Sequence, residues 1–215
     1  MKILLVNGNI SEIKGGTESF YTKLSNVIGS SARCISLNTA IGSLLPGYDF
    51  QKKESLGSYA IDRYLKYYET VNDVDLIIKE AGVGGFYDLK TPQIATFGNP
   101  YHSIFLNFKM NGLLDFSTLL DRYVFTHLQR NCGNQAKVNI ALSKFMVEDM
   151  KSIGVTNNVR IIENAVDINK FKPMNKDKLR EKYEIPNDKK VAVWVGSYSP
   201  VKGFHIIRNI TRYNC

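Results

Sequence analysis

The chain has 215 residues, of which 44% are hydrophobic and 22% are charged, and its formal net charge is +8. This balance is typical of a globular protein with a core and excludes an intrinsically disordered chain. Cys34, Cys132 and Cys215 are widely separated and have neither zinc-site nor disulfide-framework spacing, which indicates a reducing, cytoplasmic compartment. The positive charge favours contact with phosphate groups in nucleotides, nucleic acids or anionic lipids.

The first half of the chain alternates short apolar runs with amphipathic segments. Residues 2–8 predict a buried strand that ends at Asn7-Gly8-Asn9, too early for a secretory signal. After Gly15 and Gly16, Thr17 is placed to cap a helix that Gly29 ends. Further strands are predicted over residues 32–37, 75–79 and 93–97, and a further helix over residues 58–70.

The second half continues this alternation. We expect a helix over residues 113–130, a strand over 138–142, and a helix that Ser143 caps and Gly154 closes, followed by a strand over 160–162. Strands that alternate with helices predict a parallel sheet covered on both faces. The fold class is therefore α/β, with a Rossmann-like doubly wound domain over residues 1–170.

A domain boundary is predicted next. Residues 171–188 are polar and charged, with Pro173 and Pro186 on either side of a short helix, and read as a linker. A strand over 190–195 and a helix from Phe204 then begin a second Rossmann-like unit, residues 189–215. One strand and one helix cannot bury a core, so we expect this second domain to be truncated.

Glycine pairs and charged pairs are the candidate ligand motifs of this sequence. Gly15 and Gly16 at a helix N-terminus bring backbone N–H groups toward an anion, whereas the structural alternative is a loop that needs positive φ. Neither GxGxxG nor GxxxxGK[ST] occurs, and the run Gly82-Val83-Gly84-Gly85 breaks the required spacing at Tyr87. Asp73 and Asp75 read as a strand entry rather than a metal motif, and the histidines lack metal-ligand spacing, so no metal site is predicted.

Four segments, in order, resemble family-four retaining glycosyltransferases of the GT-B fold. Residues 2–6 with Gly15-Gly16-Thr17-Glu18 are similar to their opening strand and GG-x-E loop. Residues 138–143 resemble their strand that ends in a helix-starting serine. Residues 159–167 with Phe171 and Pro173 resemble their N-G-V-D…F-x-P segment, and residues 193–196 with Lys202-Gly203 their V-G-R…K-G turn.

The resemblance implies a two-domain enzyme that moves a sugar from a nucleotide-sugar to a glycan or lipid-linked acceptor with retention, and with no cofactor or metal ion. The first domain would hold the acceptor and the second the donor. The Gly15 and Gly16 amides would face a donor or acceptor phosphate, and Lys202 would neutralise the diphosphate leaving group. The substrate-binding set that the resemblance implies is Gly15, Gly16, Thr17, Glu18, Asn164, Gly196 and Lys202.

The sequence departs from the family pattern at several positions. Ser197 stands in place of an arginine, and Ala165 in place of the glycine in N-G-V-D. The family histidine is out of register, since Phe97 and Gly98 stand there, which leaves His102 as the candidate catalytic residue. The paired glutamates near the donor sugar lie outside this chain, so we expect the 215 residues alone to be inactive.

A second function remains open from the sequence. It is that of a non-catalytic Rossmann-like module that binds a glycan or lipid or regulates a transferase. Nucleic-acid binding is disfavoured because no recognition motif occurs. The apolar residues 105–116, and the tyrosines that accompany Arg63 and Lys66 in a nearby helix, also suit peripheral contact with the inner face of a membrane, although core packing explains them as well.

Overall fold

The computed structural model describes residues 1–8, 16–36, 54–99, 102–103, 116–196, 202–204 and 206–208. It divides into two compact units, Met1–Asn164 and Ala165–Cys215. The strands are β1 (Ile3–Asn7), β2 (Ala32–Ser36), β3 (Leu76–Glu80), β4 (Gln93–Phe97), β5 (Val138–Ala141) and β6 (Val159–Ile161). The helices are α1 (Gly16–Ile28), α2 (Glu54–Val71), α3 (Phe116–Gln135), α4 (Lys144–Ser152) and α5 (Lys176–Lys182).

The first unit contains one six-stranded sheet in the order β2-β1-β3-β4-β5-β6, with every pair parallel. The chain runs outward from β1 to β2 and then crosses back to β3 on the other side of β1. The winding direction therefore reverses between β1 and β3, and at such a point the loops that follow the two strands part to leave a crevice. The predicted α/β, Rossmann-like doubly wound fold is confirmed.

Alternation along the strands explains how both faces of the sheet are covered. On one face Ile3 and Leu5 pack against Tyr21 of α1. On the other face Leu4 and Val6 pack with Ile61, Leu65 and other residues of α2. The same face continues across β4, where Ala95 and Phe97 pack with Met146 and Met150 of α4. Because both faces are buried, the strands need apolar residues in succession, and β1 is buried at every position.

Several of the predicted helix-capping and helix-ending residues have these roles in the structure. Ser143 is the N-cap of α4 and accepts a hydrogen bond from the backbone N–H of Met146 at 3.2 Å. Gly154 follows that helix with φ +84°, and Gly29 follows α1 with φ +70°. Thr17 differs from the prediction. The helix begins one residue earlier, at Gly16, so Thr17 lies in its first turn instead of capping it.

The second unit contains α5, capped by Asn175, whose side chain accepts from the N–H of Lys178 at 3.0 Å. The strand predicted over 190–195 does not form in the part of this unit that the structure describes. Val193 and Val195 are 79% and 88% exposed, and a strand needs neighbours to satisfy its backbone groups. The second Rossmann-like domain therefore stays a prediction, as do the boundaries at 170 and 188.

Candidate functional site: the crevice under α1

The N-terminal end of α1 lies against the carboxyl end of β4. The hydroxyl of Tyr21 is 2.8 Å from Thr96 Oγ1, a buried hydrogen bond between helix and strand. Thr17 lies one helical turn before Tyr21, and Gly98 lies two residues after Thr96. A Cβ placed on Gly98 would lie 3.6 Å from Thr17 Oγ1. A residue with a larger side chain than glycine would therefore fill the space beside the first turn of α1.

Asn7, the last residue of β1, is a buried polar side chain on the sheet face that α1 covers. It is 2% exposed, and its Nδ2 has no hydrogen-bond partner. Alternation puts Asn7 on the same face as Leu5, which packs against Tyr21. The amide is therefore a buried donor at the carboxyl end of β1, on the same face of the sheet as α1.

Glu80 completes the crevice from β3. Val6 pairs with Lys79, which makes Glu80 the lateral neighbour of Asn7 at the carboxyl ends of the two strands. Glu80 is half-buried, and its charge adds to burial, the larger cause, in raising the pKa of the Tyr21 hydroxyl well above its usual range. Tyr21 is therefore a neutral hydrogen-bonding group at any physiological pH. We call the group Asn7, Thr17, Glu80, Thr96 and Gly98 the α1 crevice.

Of the predicted glycine pair, Gly16 lies at this crevice and Gly15 lies outside the described residues. Gly16 is exposed, does not have a positive φ, and has no atom within 4 Å of the position of an added Cβ. Positive-φ strain therefore does not explain why this residue is a glycine. Its lack of a side chain leaves open space in front of the first-turn N–H groups, which have no acceptor within the helix. Glu18 is half-buried in the first turn, where its charge favours the helix.

The glycine run after β3 has a structural role. Gly82, Gly84 and Gly85 all have positive φ, and a Cβ on Gly84 would lie 2.7 Å from Asp62 Oδ1 of α2. The carboxylate of Asp62 accepts the N–H groups of Phe86 at 2.7 Å and Tyr87 at 2.6 Å. The N–H groups of Phe86 and Tyr87 are thus bonded within the protein, and this part of the loop is a structural turn held by α2.

Asp62 faces a second buried charge. Lys79 of β3 is fully buried, and its Nζ has no hydrogen-bond partner. Burial raises the pKa of Asp62, while Lys79 and the backbone N–H groups of residues 85–87 oppose that rise. The Asp62 carboxylate therefore holds the loop 81–87. Lys79 and the backbone N–H groups offset part of the free-energy cost of burying its negative charge.

The raised pKa of Asp62 gives a first testable prediction. The folded protein holds the Asp62 proton more tightly than the unfolded chain, where the pKa is about 3.9. The stability that Asp62 contributes relative to Asp62→Asn should therefore fall as the pH rises above about 4. Urea unfolding of both proteins across this range measures the difference. A difference that grows with pH would contradict this account.

The remaining predicted residues lie elsewhere. His102 is half-buried, and its Nδ1 is buried without a partner; its neighbour Ser103 donates its N–H to Asp149 of α4 at 2.9 Å. Asn164 is exposed at the end of the first unit. In the second unit, a Cβ on Gly196 would lie 3.1 Å from Lys202 Cβ, so these two residues are neighbours. Of the predicted residues that the structure describes, Gly16, Thr17 and Glu18 lie together in the first turn of α1, and Gly196 and Lys202 lie together in the second unit.

The charged pair Asp73 and Asp75 is a strand entry. Asp75 Oδ2 accepts the backbone N–H of Lys2 at 2.6 Å, which ties the start of β1 to the start of β3. This is the amino edge of the sheet, opposite the α1 crevice. Within the described ranges, no group of three or more His, Cys, Asp or Glu side chains could hold a metal ion.

No family model matches the chain. A search of curated proteins also finds no match. Among the helices of the described residues, none is both long enough and apolar enough to cross a membrane.

Sequence reasoning missed Asn7, Glu80 and Thr96 as site residues. Their common signal is a polar residue in the last two positions of a buried parallel strand, where the carboxyl ends of the strands share one edge. The pattern was visible, but only the register between β1 and β3 shows that Asn7 and Glu80 are neighbours.

Proposed function

We propose that this chain is the acceptor-side part of a retaining glycosyltransferase, and that the α1 crevice binds an oxygen-rich group of the substrates. The observation that carries the proposal is the buried, unpartnered Nδ2 of Asn7 at the carboxyl end of β1, on the sheet face that α1 covers. A buried donor without a partner costs about 1–3 kcal/mol, which a ligand oxygen would recover. The first-turn N–H groups of α1, which have no acceptor within the helix, add donors.

The chemistry of the crevice fits a substrate that carries hydroxyl groups. Asn7 Nδ2 and the helix N–H groups donate, whereas the Glu80 carboxylate accepts and disfavours a second negative charge close to it. A sugar offers both donors and acceptors on one ring, so it can satisfy both kinds of group at once. In this proposal a phosphate oxygen of the substrates lies toward Gly16 and a sugar hydroxyl toward Glu80.

The second unit supports the other half of the proposal. Gly196 and Lys202 adjoin, and Trp194 Nε1 donates to the carbonyl of Lys202 at 2.8 Å, which fixes the turn that would hold the donor diphosphate. Lys202 is exposed and available to an anion. His102 would position the acceptor through its unpartnered Nδ1. The cytoplasmic location and the absence of a cofactor belong to the same proposal.

The binding prediction is tested on the purified chain by NMR titration with nucleotide-sugars and methyl hexosides. At least one ligand should shift the amide signals of Gly16 and Thr17 and the side-chain amide of Asn7. Gly16→Ala should weaken that binding at least about tenfold, a loss of about 1.4 kcal/mol, while the melting temperature stays unchanged because Gly16 has open space around it.

Asn26→Ala is the matched control, since Asn26 is exposed at the other end of the same helix. It should bind as the unmodified chain does. If no ligand of either class shifts these signals, or if Gly16→Ala binds equally well, the assignment of the crevice is wrong.

A further inference from the structure

The outer surface of α2 and α3 has an unusual composition. Both helices lie on the same face of the sheet, because α2 packs on Val6 and Ile77 and because Gln129 of α3 donates to the carbonyl of Ala81 at the end of β3. Both also bind the loop 81–87, through Ser58 and Asn131. The sides of the two helices that point away from the sheet therefore form one continuous surface.

On α2 this surface is an aromatic and basic stripe with a spacing of four residues. Tyr59 is 42% exposed, Tyr67 64% and Val71 57%, and Arg63 lies exposed between the tyrosines. Residues four apart in a helix share one side, so these side chains form a single row. Phe86 extends the row, with its ring edge-to-face with Tyr59 at 5.3 Å.

On α3 the stripe has the same character. Leu120 is 58% exposed and Tyr123 69%, and they are followed on the same side by exposed His127 and Arg130. Arg130 Nη2 lies 2.8 Å from His127 Nδ1, so the two groups occupy one position at the end of the row.

The acidic side chains that the structure describes on these two helices do not point outward. Asp62 is fully buried, and Glu69 is 6% exposed in its side chain and paired with Lys66 at 3.2 Å. The exposed side chains of the two rows are tyrosine, aliphatic carbon, histidine and arginine. Tyrosine rings suit the headgroup level of a bilayer, and arginines gain energy near anionic lipids.

We propose that the outer surface of α2 and α3 binds anionic lipid bilayers, with Tyr59, Tyr67, Leu120 and Tyr123 at the headgroup level and Arg63 and Arg130 on lipid phosphates. The charge of the surface favours this partner, because lipid phosphates carry the negative charge that the arginines can neutralise and a neutral glycan carries none. The proposal uses none of the residues of the α1 crevice, so it holds or fails independently of the proposed function.

The test is co-sedimentation of the purified chain with vesicles of phosphatidylcholine, with and without 40% phosphatidylglycerol. The chain should bind the anionic vesicles and leave the neutral ones, and high salt should release it because charge is then screened over about 3 Å. Arg63→Gln with Arg130→Gln should weaken binding about 25-fold, or about fivefold for each charge removed. Tyr67→Ser with Tyr123→Ser should weaken it at least about tenfold.

Lys23→Gln with Val27→Ser is the matched control. Both residues are exposed on α1, on the opposite face of the sheet, and Val27 is 84% exposed. This control should retain binding, and circular dichroism of every variant should match the unmodified chain. Equal recovery with neutral and anionic vesicles overturns the proposal. So does anionic binding that the α2–α3 variants leave intact, since another part of the chain would then make the contact.

Discussion

Asp62→Ala should lower the free energy of unfolding by about 1–3 kcal/mol, the cost of leaving buried hydrogen-bond donors without an acceptor. The fully buried carboxylate accepts the N–H groups of Phe86 and Tyr87, and it is the group whose charge opposes that of Lys79. Alanine would leave these donors without an acceptor and a buried ammonium without compensation. Urea denaturation of the variant and the unmodified chain measures the loss.

Two further variants separate the charge from the hydrogen bonds. Asp62→Asn keeps the volume and one acceptor oxygen but removes the charge. Adding Lys79→Met to it removes the buried ammonium as well, so the double variant should recover part of the stability that Asp62→Asn loses. Additive effects of the two changes would mean that the two side chains do not interact, and a loss below about 1 kcal/mol for Asp62→Ala would contradict the role of the carboxylate.

Gly85→Ala should cost about 3 kcal/mol, from positive-φ strain and from crowding together. Gly85 has φ +97°, and an added Cβ would lie 2.7 Å from the carbonyl oxygen of Leu128 and 3.1 Å from Cys132 Sγ. The first contact is with helix backbone, which cannot turn away as a side chain can. Thermal and urea unfolding should both show the loss.

Two other glycines make this prediction quantitative. Gly29 has φ +70° but open space around it, so Gly29→Ala should show the strain alone, about 1–2 kcal/mol. Gly8 has neither a positive φ nor a close neighbour, and Gly8→Ala should change stability by less than about 0.5 kcal/mol. If the three variants lose stability equally, crowding at Gly85 plays no part.

Much of the fold could be predicted from local signals. The strand bounds at residues 93–97 agree with the structure, and Ser143 and Gly154 begin and end α4 as their chemistry predicts. These signals are reliable because each depends on its own few residues: a serine that can accept a backbone N–H, or a glycine that tolerates positive φ.

The sequence was less informative wherever a feature depends on distant residues. The alternating valines at 191, 193 and 195 have the composition of a strand, but pairing needs a neighbour that no local pattern supplies. The glycines at 82, 84 and 85 were a broken nucleotide motif by spacing, and only their contacts with α2 and α3 show what they do. Lys79 lies in a strand that the sequence predicts, but no local pattern shows that its side chain is fully buried.

The crevice itself shows the same division. Gly16 and Thr17 could be placed at a helix N-terminus from the sequence because a glycine pair before a helix is a local motif. Asn7 and Glu80 lie 73 residues apart along the chain and become neighbours only through the register of β1 on β3.

The position of β1 in the centre of the sheet has a consequence for how the chain folds. Ile3 pairs with Leu76, so β1 reaches its place beside β3 only when the ends of this long segment are brought together. Closing a long segment costs chain entropy before its contacts repay it, and sheets with such distant pairings fold slowly. β4 and β5, where Ile94 pairs with Val138, are closer along the chain and can associate earlier. The crevice under α1, whose floor joins β1, β3 and β4, would then be among the last parts of the molecule to assemble.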